Sequence, residues 1–322
     1  MKKKILLTGC AGFIGSNFVK TIACRSDVKS LYDFDIVDAL TYAGRLENIQ
    51  PDLDKNPHLA FYKIDIRDDK KINELFLERN YSGVIHFAAE SHVDNSIKNP
   101  NIFVETNVLG TLNLLNASVK LFKDNKDFKF LHVSTDEVYG TLHEEEPAFT
   151  EEHKIQPNSP YSASKASSDL LVRAYYETFK LPTLITRCSN NYGPYQFPEK
   201  LIPLMISKAQ KNEKLPVYGD GRNIRDWIYV DDHNEGVWVV FSKGKTGEVY
   251  NLGGNSEMRN IDVVKTILRE LGKSEELISY VTDRPGHDWR YAMDFSKAKK
   301  ELGWEPKIDF RTGIKKTVEW YL

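Results

Sequence analysis

The segment Lys4-Ile5-Leu6-Leu7-Thr8-Gly9-Cys10-Ala11-Gly12-Phe13-Ile14-Gly15 reads as a short apolar strand running straight into a Gly-x-x-Gly-x-x-Gly turn. A helix follows, with Phe18, Val19 and Ile22 on one face. Glycines at this spacing often mark nothing more than a turn. Between a strand and a helix they do more: they allow a tight bend and let backbone N–H groups approach a pyrophosphate at the positive end of the helix. The next strand, Phe34 to Val37, ends at Asp38, which lies 23 residues beyond Gly15. An acid near that distance accepts from a ribose 2′-OH and repels a 2′-phosphate, so the expected cofactor is NAD rather than NADP, a preference that Arg45 tempers.

Strand and helix go on alternating. Phe61-Tyr62-Lys63-Ile64-Asp65 makes a third strand before an amphipathic helix carrying Ile72, Leu75 and Phe76. Asp65, at the strand end, suits either an adenine amino group or the N-cap of that helix. A fourth strand, Val84-Ile85-His86-Phe87, opens into Ala88-Ala89-Glu90-Ser91-His92, where small residues let a cofactor lie against the backbone. His86 reads as a packed strand residue, whereas Ser91 and His92, past the strand end, are better site candidates. A long helix from Asn101 to Leu121 places Val104, Val108, Leu112, Leu115 and Val119 on one side. Then Phe130-Leu131-His132-Val133 ends in Ser134-Thr135-Asp136-Glu137. Two carboxylates beside two hydroxyls are costly to gather at the C-terminal edge of a buried strand, which is where open α/β sheets keep their chemistry. After a polar loop, Ser159 caps a helix with Pro160 at its first position, and Tyr161 and Lys165, four apart, face the same way. An ammonium beside a phenol lowers its pKa, as does a positively charged nicotinamide, so Tyr161 is expected to serve as a base near neutrality.

Pro182 to Arg187 gives one more strand, and the periodicity then breaks in an irregular, aromatic-rich crossing from Cys188 to Lys200. The expected architecture is α/β: a Rossmann-type doubly wound parallel sheet with a smaller, mixed α/β C-terminal domain. The first domain is placed at 1–187, with a returning segment near 226–250 whose helix is capped by Val230-Asp231-Asp232 and runs through Val237 and Val240. The second takes 188–225 and 251–322 and closes on an amphipathic helix from Ile308 to Leu322. Within it, Arg222-Asn223-Ile224-Arg225-Asp226-Trp227 brings two guanidinium groups together, and Arg225 suits either a bidentate phosphate clamp or a surface arrangement with Asp226. Asp283-Arg284-Pro285-Gly286-His287-Asp288 is a second cationic turn for the same diphosphate.

Composition bounds the function. The 322 residues, 41% hydrophobic, suffice for two unequal domains. A formal net charge of −2 without a basic run argues against nucleic acid, and no stretch approaches the ~20 apolar residues of a bilayer helix. Met1-Lys2-Lys3-Lys4 carries the charge of a signal-peptide start, but Ile5-Leu6-Leu7 is too short for its apolar region. Cys10, Cys24 and Cys188 are odd in number and lack ligand spacing, so reduced thiols, no metal and a cytoplasmic location are expected.

The glycine loop with Tyr161 and Lys165 resembles the extended short-chain dehydrogenase/reductase family. Thr135-Asp136-Glu137, Ala88-Ala89-Glu90-Ser91-His92-Val93-Asp94, Ser189-Asn190-Asn191-Tyr192-Gly193-Pro194 and the 283–288 turn resemble its dTDP-glucose 4,6-dehydratases, over nearly the whole chain. Asn95 and Trp289 depart from that pattern, where arginine is usual. The resemblance implies Thr135, Asp136, Glu137, Tyr161 and Lys165 as catalytic. It implies Gly9, Gly12, Phe13, Ile14, Gly15, Asp38, Asp65, Ile66, Phe87, Ala88, Ala89, Thr106 and Asn191 around NAD, with Tyr161 and Lys165. It gives the nucleotide sugar Ser91, Thr135, Asn190, Lys200, Leu201, Pro216, Tyr218, Arg225, Asn260, Arg284 and His287, with Tyr218 stacking on thymine. Hydride leaves C4 for NAD, Glu137 acts at C5, protonated Asp136 serves the C6 hydroxyl, and hydride returns to C6. The helices at 101–121 and 161–179 are implied as the interface of a homodimer. The rivals are a nucleotide-sugar 4-epimerase or decarboxylase, which needs no acid pair, and a non-catalytic NAD-binding protein.

Overall fold

A computed structural model describes residues 2–322 apart from 124 and 126; Met1 of the basic N-terminal run lies outside the described residues. Six strands come first: β1 (Lys3–Thr8), β2 (Tyr32–Asp38), β3 (Leu59–Lys63), β4 (Gly83–His86), β5 (Lys129–Thr135) and β6 (Thr183–Cys188). Six more follow: β7 (Asn190–Tyr192), β8 (Leu215–Tyr218), β9 (Ile224–Tyr229), β10 (Val249–Leu252), β11 (Glu257–Arg259) and β12 (Ile278–Val281). Seven strands form one parallel sheet in the order β10-β6-β5-β4-β1-β2-β3. The order reverses between β1 and β4, and a crevice opens at the C-terminal ends of strands flanking such a switch.

Alternation along each strand explains why both faces are apolar. Ile5 and Leu7 of β1 join one core with Phe34, Ile36, Leu131 and the first helix's Phe18, while Leu6 joins the other with Val84, Phe130, Leu75 and Leu115. The helix Val230–Lys243 returns to the first of these cores through Val237, Val240 and Phe241. A third core, built from Tyr192, Met205, Trp227, Val264, Phe310 and Ile314 among others, draws only on residues beyond 190. It packs beside the strands β11-β9-β7 and β12-β8.

Register lines up the working edge. Thr8 pairs with His86, His86 with His132, and Thr135 with Cys188, so Gly9, Phe87, Asp136 and Ser189 all emerge along one rim.

Several local expectations change. The helical run Pro100–Phe103, Val104–Gly110 and Thr111–Phe122 contains wide π turns, which shift its phase. Its buried face is Phe103, Asn107, Thr111, Leu114, Leu115 and Ser118, whereas Val104 is exposed and Val108 and Leu112 are half-buried. Asp68, not Asp65, caps Asp69–Arg79, by accepting from Lys71 N. Asp231 and Asp232 lie inside their helix rather than capping it; Asp232 instead accepts from Lys307 N and Ile308 N. Arg222 and Arg225 diverge: the first pairs with Asp220 at the surface, the second is buried. The crossing after Cys188 contains β7, which pairs with β9.

Candidate active site

A cleft of about 310 Å³ lies over the switch point. Every residue expected around the dinucleotide lines it, as do Thr135, Asp136, Glu137, Tyr161 and Lys165. On the glycine side, Gly9 sits at φ +75°, and a Cβ there would come within 2.5 Å of the Ala88 backbone. A Cβ on Gly15 would meet Cys10 Cα at 2.6 Å. Gly12 differs: a Cβ there would meet only Gly9 O, at 3.4 Å, so its bare face looks into the cleft. The Gly9 bend and Gly15 packing bring the chain close, and Gly12 leaves room beside the first helix for a diphosphate. Asp38 closes this side, accepting from Ala11 N (2.9 Å) and Leu40 N (2.8 Å). Arg45 turns its guanidinium over the Phe197 ring, 5.3 Å from the centroid. Asp65 at the far end is paired with Arg67 at 2.7 Å. His86 is a packed residue, linking Thr8 Oγ1 (2.7 Å) to Thr111 Oγ1 (2.9 Å).

On the chemical side, β5 ends two residues later than its apolar run, at Thr135, and Asp136–Tyr139 turns back as one 3₁₀ turn. That turn buries Asp136 and points Glu137 into the cleft. Thr135 Oγ1 donates to Asp136 Oδ1 at 3.2 Å, and Asp136 Oδ2 has no hydrogen-bond partner among the described residues. Burial first, then the charges of Glu137 and Asp226, raise the Asp136 carboxyl well above its ordinary value. Burial raises Glu137 as well, but Lys200, Arg284 and Arg225 pull it back. Both carboxyls are thus raised by their surroundings, Asp136 further than Glu137.

Ser159 and Ser162 form a capping box at the start of Pro160–Phe179, with Pro160 in the first turn, and the helix carries Tyr161 to the cleft. The expected lowering of the Tyr161 phenol does not appear. Burial and the acids Glu137 and Asp136 hold it well above the ordinary value, and Lys165 does not offset them because its ammonium is turned to Val133 O (2.9 Å). Among the protein's own groups, the Thr135 hydroxyl favours the phenolate.

Of the substrate set, Ser91, Thr135, Asn190 and Lys200 line the cleft, and Lys200 Nζ donates to Ser91 O at 2.6 Å. Leu201, Pro216, Tyr218, Arg225, Asn260, Arg284 and His287 stand outside that lining, on the part of the chain beyond 190. Three of them meet at a rim: Tyr218 OH and Arg284 Nη1 both reach Asp94, at 3.2 and 3.4 Å, and the His287 ring meets Tyr218 edge-on. Arg225 is neither at the surface nor paired with its neighbour. Its guanidinium donates to Asp288 O and Ile224 O and stacks 4.3 Å over Tyr291, while Asp226 accepts from Ser189 Oγ, Gly254 N and Ser256 N. Asp94 and Asp226 went unread as site residues because each acts across the fold on partners more than 25 positions away. Among the described residues no group of three or more His, Cys, Asp or Glu side chains is placed to hold a metal.

A dinucleotide crevice with a Tyr-x-x-x-Lys helix at its floor defines a short-chain dehydrogenase/reductase of the extended type. The chain belongs to the GDP-mannose 4,6 dehydratase family, whose model matches residues 6–317. It is 55% identical to the dTDP-glucose 4,6-dehydratase of Xanthomonas campestris pv. campestris over 98% of this chain and 92% of that one. The crystal structure of dTDP-glucose 4,6-dehydratase from Bacillus anthracis, in complex with NAD, is 48% identical, covers 99% of this chain and 96% of its own, and superposes with a TM-score of 0.88. A UDP-glucose 4-epimerase from Thermotoga maritima, 31% identical over 99% of this chain and 98% of its own, gives the same TM-score of 0.88. The backbone is therefore common to both chemistries and does not by itself separate them.

Proposed function

We propose that the protein dehydrates dTDP-glucose to dTDP-4-keto-6-deoxyglucose, with NAD as its resident cofactor. The observation that carries this reading is the acid pair. Asp136 and Glu137 share one cleft with Tyr161 and Lys165, one carboxyl strongly favoured in its neutral form and the other held back by three cations. A neutral acid beside a carboxylate is what removal of water across C5 and C6 requires, and a 4-epimerase has no use for it. The glycine loop, the open face of Gly12 and Asp38 fit a dinucleotide, and bound NAD supplies the acceptor and later the donor of hydride.

The protein's own groups then have these tasks. Lys165 holds the nicotinamide ribose, Thr135 holds the sugar O4, and Tyr161 takes the O4 proton once the positive charge of bound NAD offsets the burial and the acids that raise its phenol. Glu137 removes the C5 proton, acidified by the 4-keto group, and returns it there at the end. Asp136 protonates the departing C6 hydroxyl, which leaves as water. The balance leaves Tyr161 protonated and Asp136 ionised. Thr135, which donates to Asp136 Oδ1 and favours the Tyr161 phenolate, has the task of passing the proton back. Ser91, Asn190, Lys200 and the rim residues grip the nucleotide, with Tyr218 against thymine. On this reading residues 1–187 with 226–250 serve the cofactor, and 188–225 with 251–322 serve the nucleotide sugar. The enzyme works as a homodimer in the cytoplasm, a setting that its three free thiols suit.

Incubation with dTDP-glucose tests the reading: a 4-keto product, seen by its chromophore in alkali, is expected. Recovery of a C4 epimer, or of unchanged substrate, would sink it. In deuterated water Glu137→Gln should lose exchange at C5 yet still form some NADH; normal exchange would remove Glu137 from its place.

A further inference from the structure

Beneath Tyr161 and Lys165 runs a buried polar chain to which the reaction above assigns no task. The Lys165 ammonium donates to Val133 O (2.9 Å) and lies 3.3 Å from His132 Nε2. The same nitrogen stands 3.5 Å from Asp169 Oδ1. Asp169 Oδ2 accepts from Arg187 Nε at 2.9 Å, Arg187 Nη1 donates to Tyr139 OH at 2.9 Å, and Tyr139 donates to Asn251 Oδ1 at 2.9 Å. Lys165, His132, Asp169 and Arg187 are none of them more than 4% exposed. Tyr161, Lys165 and Asp169 also occupy successive i, i+4 positions of one helix, so the spacing that brings the lysine beneath the tyrosine brings a carboxylate beneath the lysine.

We propose that Asp169 is a positioning residue for Lys165: clamped by Arg187 on its Oδ2, it supplies from below the negative charge that keeps this ammonium protonated in a buried site. The proposal rests on the role given to Lys165 above. An ammonium taken out of water persists only when it is paired. The titratable groups around it are Tyr161 and Asp169 from its own helix, His132 from β5, His86 from β4, and Arg187 and Cys188 from β6. Both imidazoles are kept neutral by burial and by Lys165 itself. Burial draws Lys165 down to about 8, and the charge that opposes this most is that of Asp169. Without Asp169, two cations would be buried together, and lysine is the one able to shed its proton.

The test reads pH dependence rather than activity alone. Asp169→Asn removes the charge at nearly constant shape. The alkaline limb of kcat should move to lower pH by about one to three units, so that kcat at pH 8 falls by about tenfold or more while KM for dTDP-glucose stays close to wild type. NAD affinity, measured by titration calorimetry, should weaken over the same pH range. Arg187→Gln should move the limb the opposite way, because Asp169 then faces Lys165 without a competing cation; this variant also serves if Asp169→Asn does not fold. Asp169→Glu should return the limb towards the wild type. A residue with a merely structural role would lower melting temperature and leave these limbs alone, so unmoved limbs in both Asp169→Asn and Arg187→Gln overturn the proposal. Absence of turnover in the wild type would instead sink the assigned reaction, and the pH dependence of NAD affinity would still decide the role of Asp169.

Discussion

Asp136 shows how a single residue is tuned at the expense of stability. Its carboxyl is raised in the folded chain by burial, Glu137 and Asp226. A group that holds its proton more tightly folded than unfolded stabilises the fold below its ordinary value, and that contribution is lost as pH rises through the folded value. Asp136→Asn removes the loss. The variant should therefore melt above the wild type at pH 8, with the gap closing towards pH 4, while turnover falls by ~10²–10⁴. Identical melting curves at both pH values would show that the carboxyl is not held in its neutral form. Tyr161→Phe should slow the first hydride transfer by ~10²–10⁴, followed as NADH absorbance in a single turnover. The identities of these residues were legible in the sequence, but their directions were not. Lys165 turns from Tyr161 towards the Val133 carbonyl, and only packing around β5 determines that.

At the scale of elements, the strand–turn–helix unit was fully legible because its physics is local. Gly9 is needed for a positive φ and Gly15 for a close backbone approach, whereas Gly12 is needed for the space it leaves open. Gly9→Ala should cost about 1–2 kcal/mol from the left-handed backbone alone, with the Ala88 clash added. Gly12→Ala should melt within ~0.5 kcal/mol of wild type, since little protein lies near the new methyl group, yet bind NAD at least about tenfold more weakly. Calorimetric melting and NAD titration of the two variants separate these outcomes; an undiminished NAD affinity in Gly12→Ala would place the diphosphate elsewhere. The helix Pro100–Phe122 was legible as a helix but not in phase. Its π turns rotate Val104 outwards, and its buried face includes Asn107, Thr111 and Ser118, which apolar periodicity cannot register.

At the scale of the whole molecule, Val104 and Leu109 on that helix, and Leu170 and Phe179 on its neighbour Pro160–Phe179, are about half exposed. Exposed large apolar side chains on two adjacent helices support the proposed dimer interface. Leu109→Glu combined with Leu170→Glu should yield a folded monomer by analytical ultracentrifugation, because neither side chain supports the monomer's core. A sedimentation coefficient unchanged from wild type would move the interface to another surface. The same tertiary scale supplies the rim: Tyr218 and Arg284 reach Asp94 across more than a hundred residues of chain.

The amino-acid sequence alone determined the parallel sheet, the glycine turn, the Tyr161–Lys165 helix and the acid pair at the end of β5. Each of these rests on periodicity, a cap, or neighbours within four positions, and such forces act between residues close along the chain. Tertiary structure alone decided which acid is pushed furthest towards its neutral form, where Arg225 points, which face of the 100–122 helix is buried, and that Arg187 reaches the Asp169 carboxylate beneath Lys165. These depend on burial and on charges brought together from distant segments, and neither exists until the chain has folded.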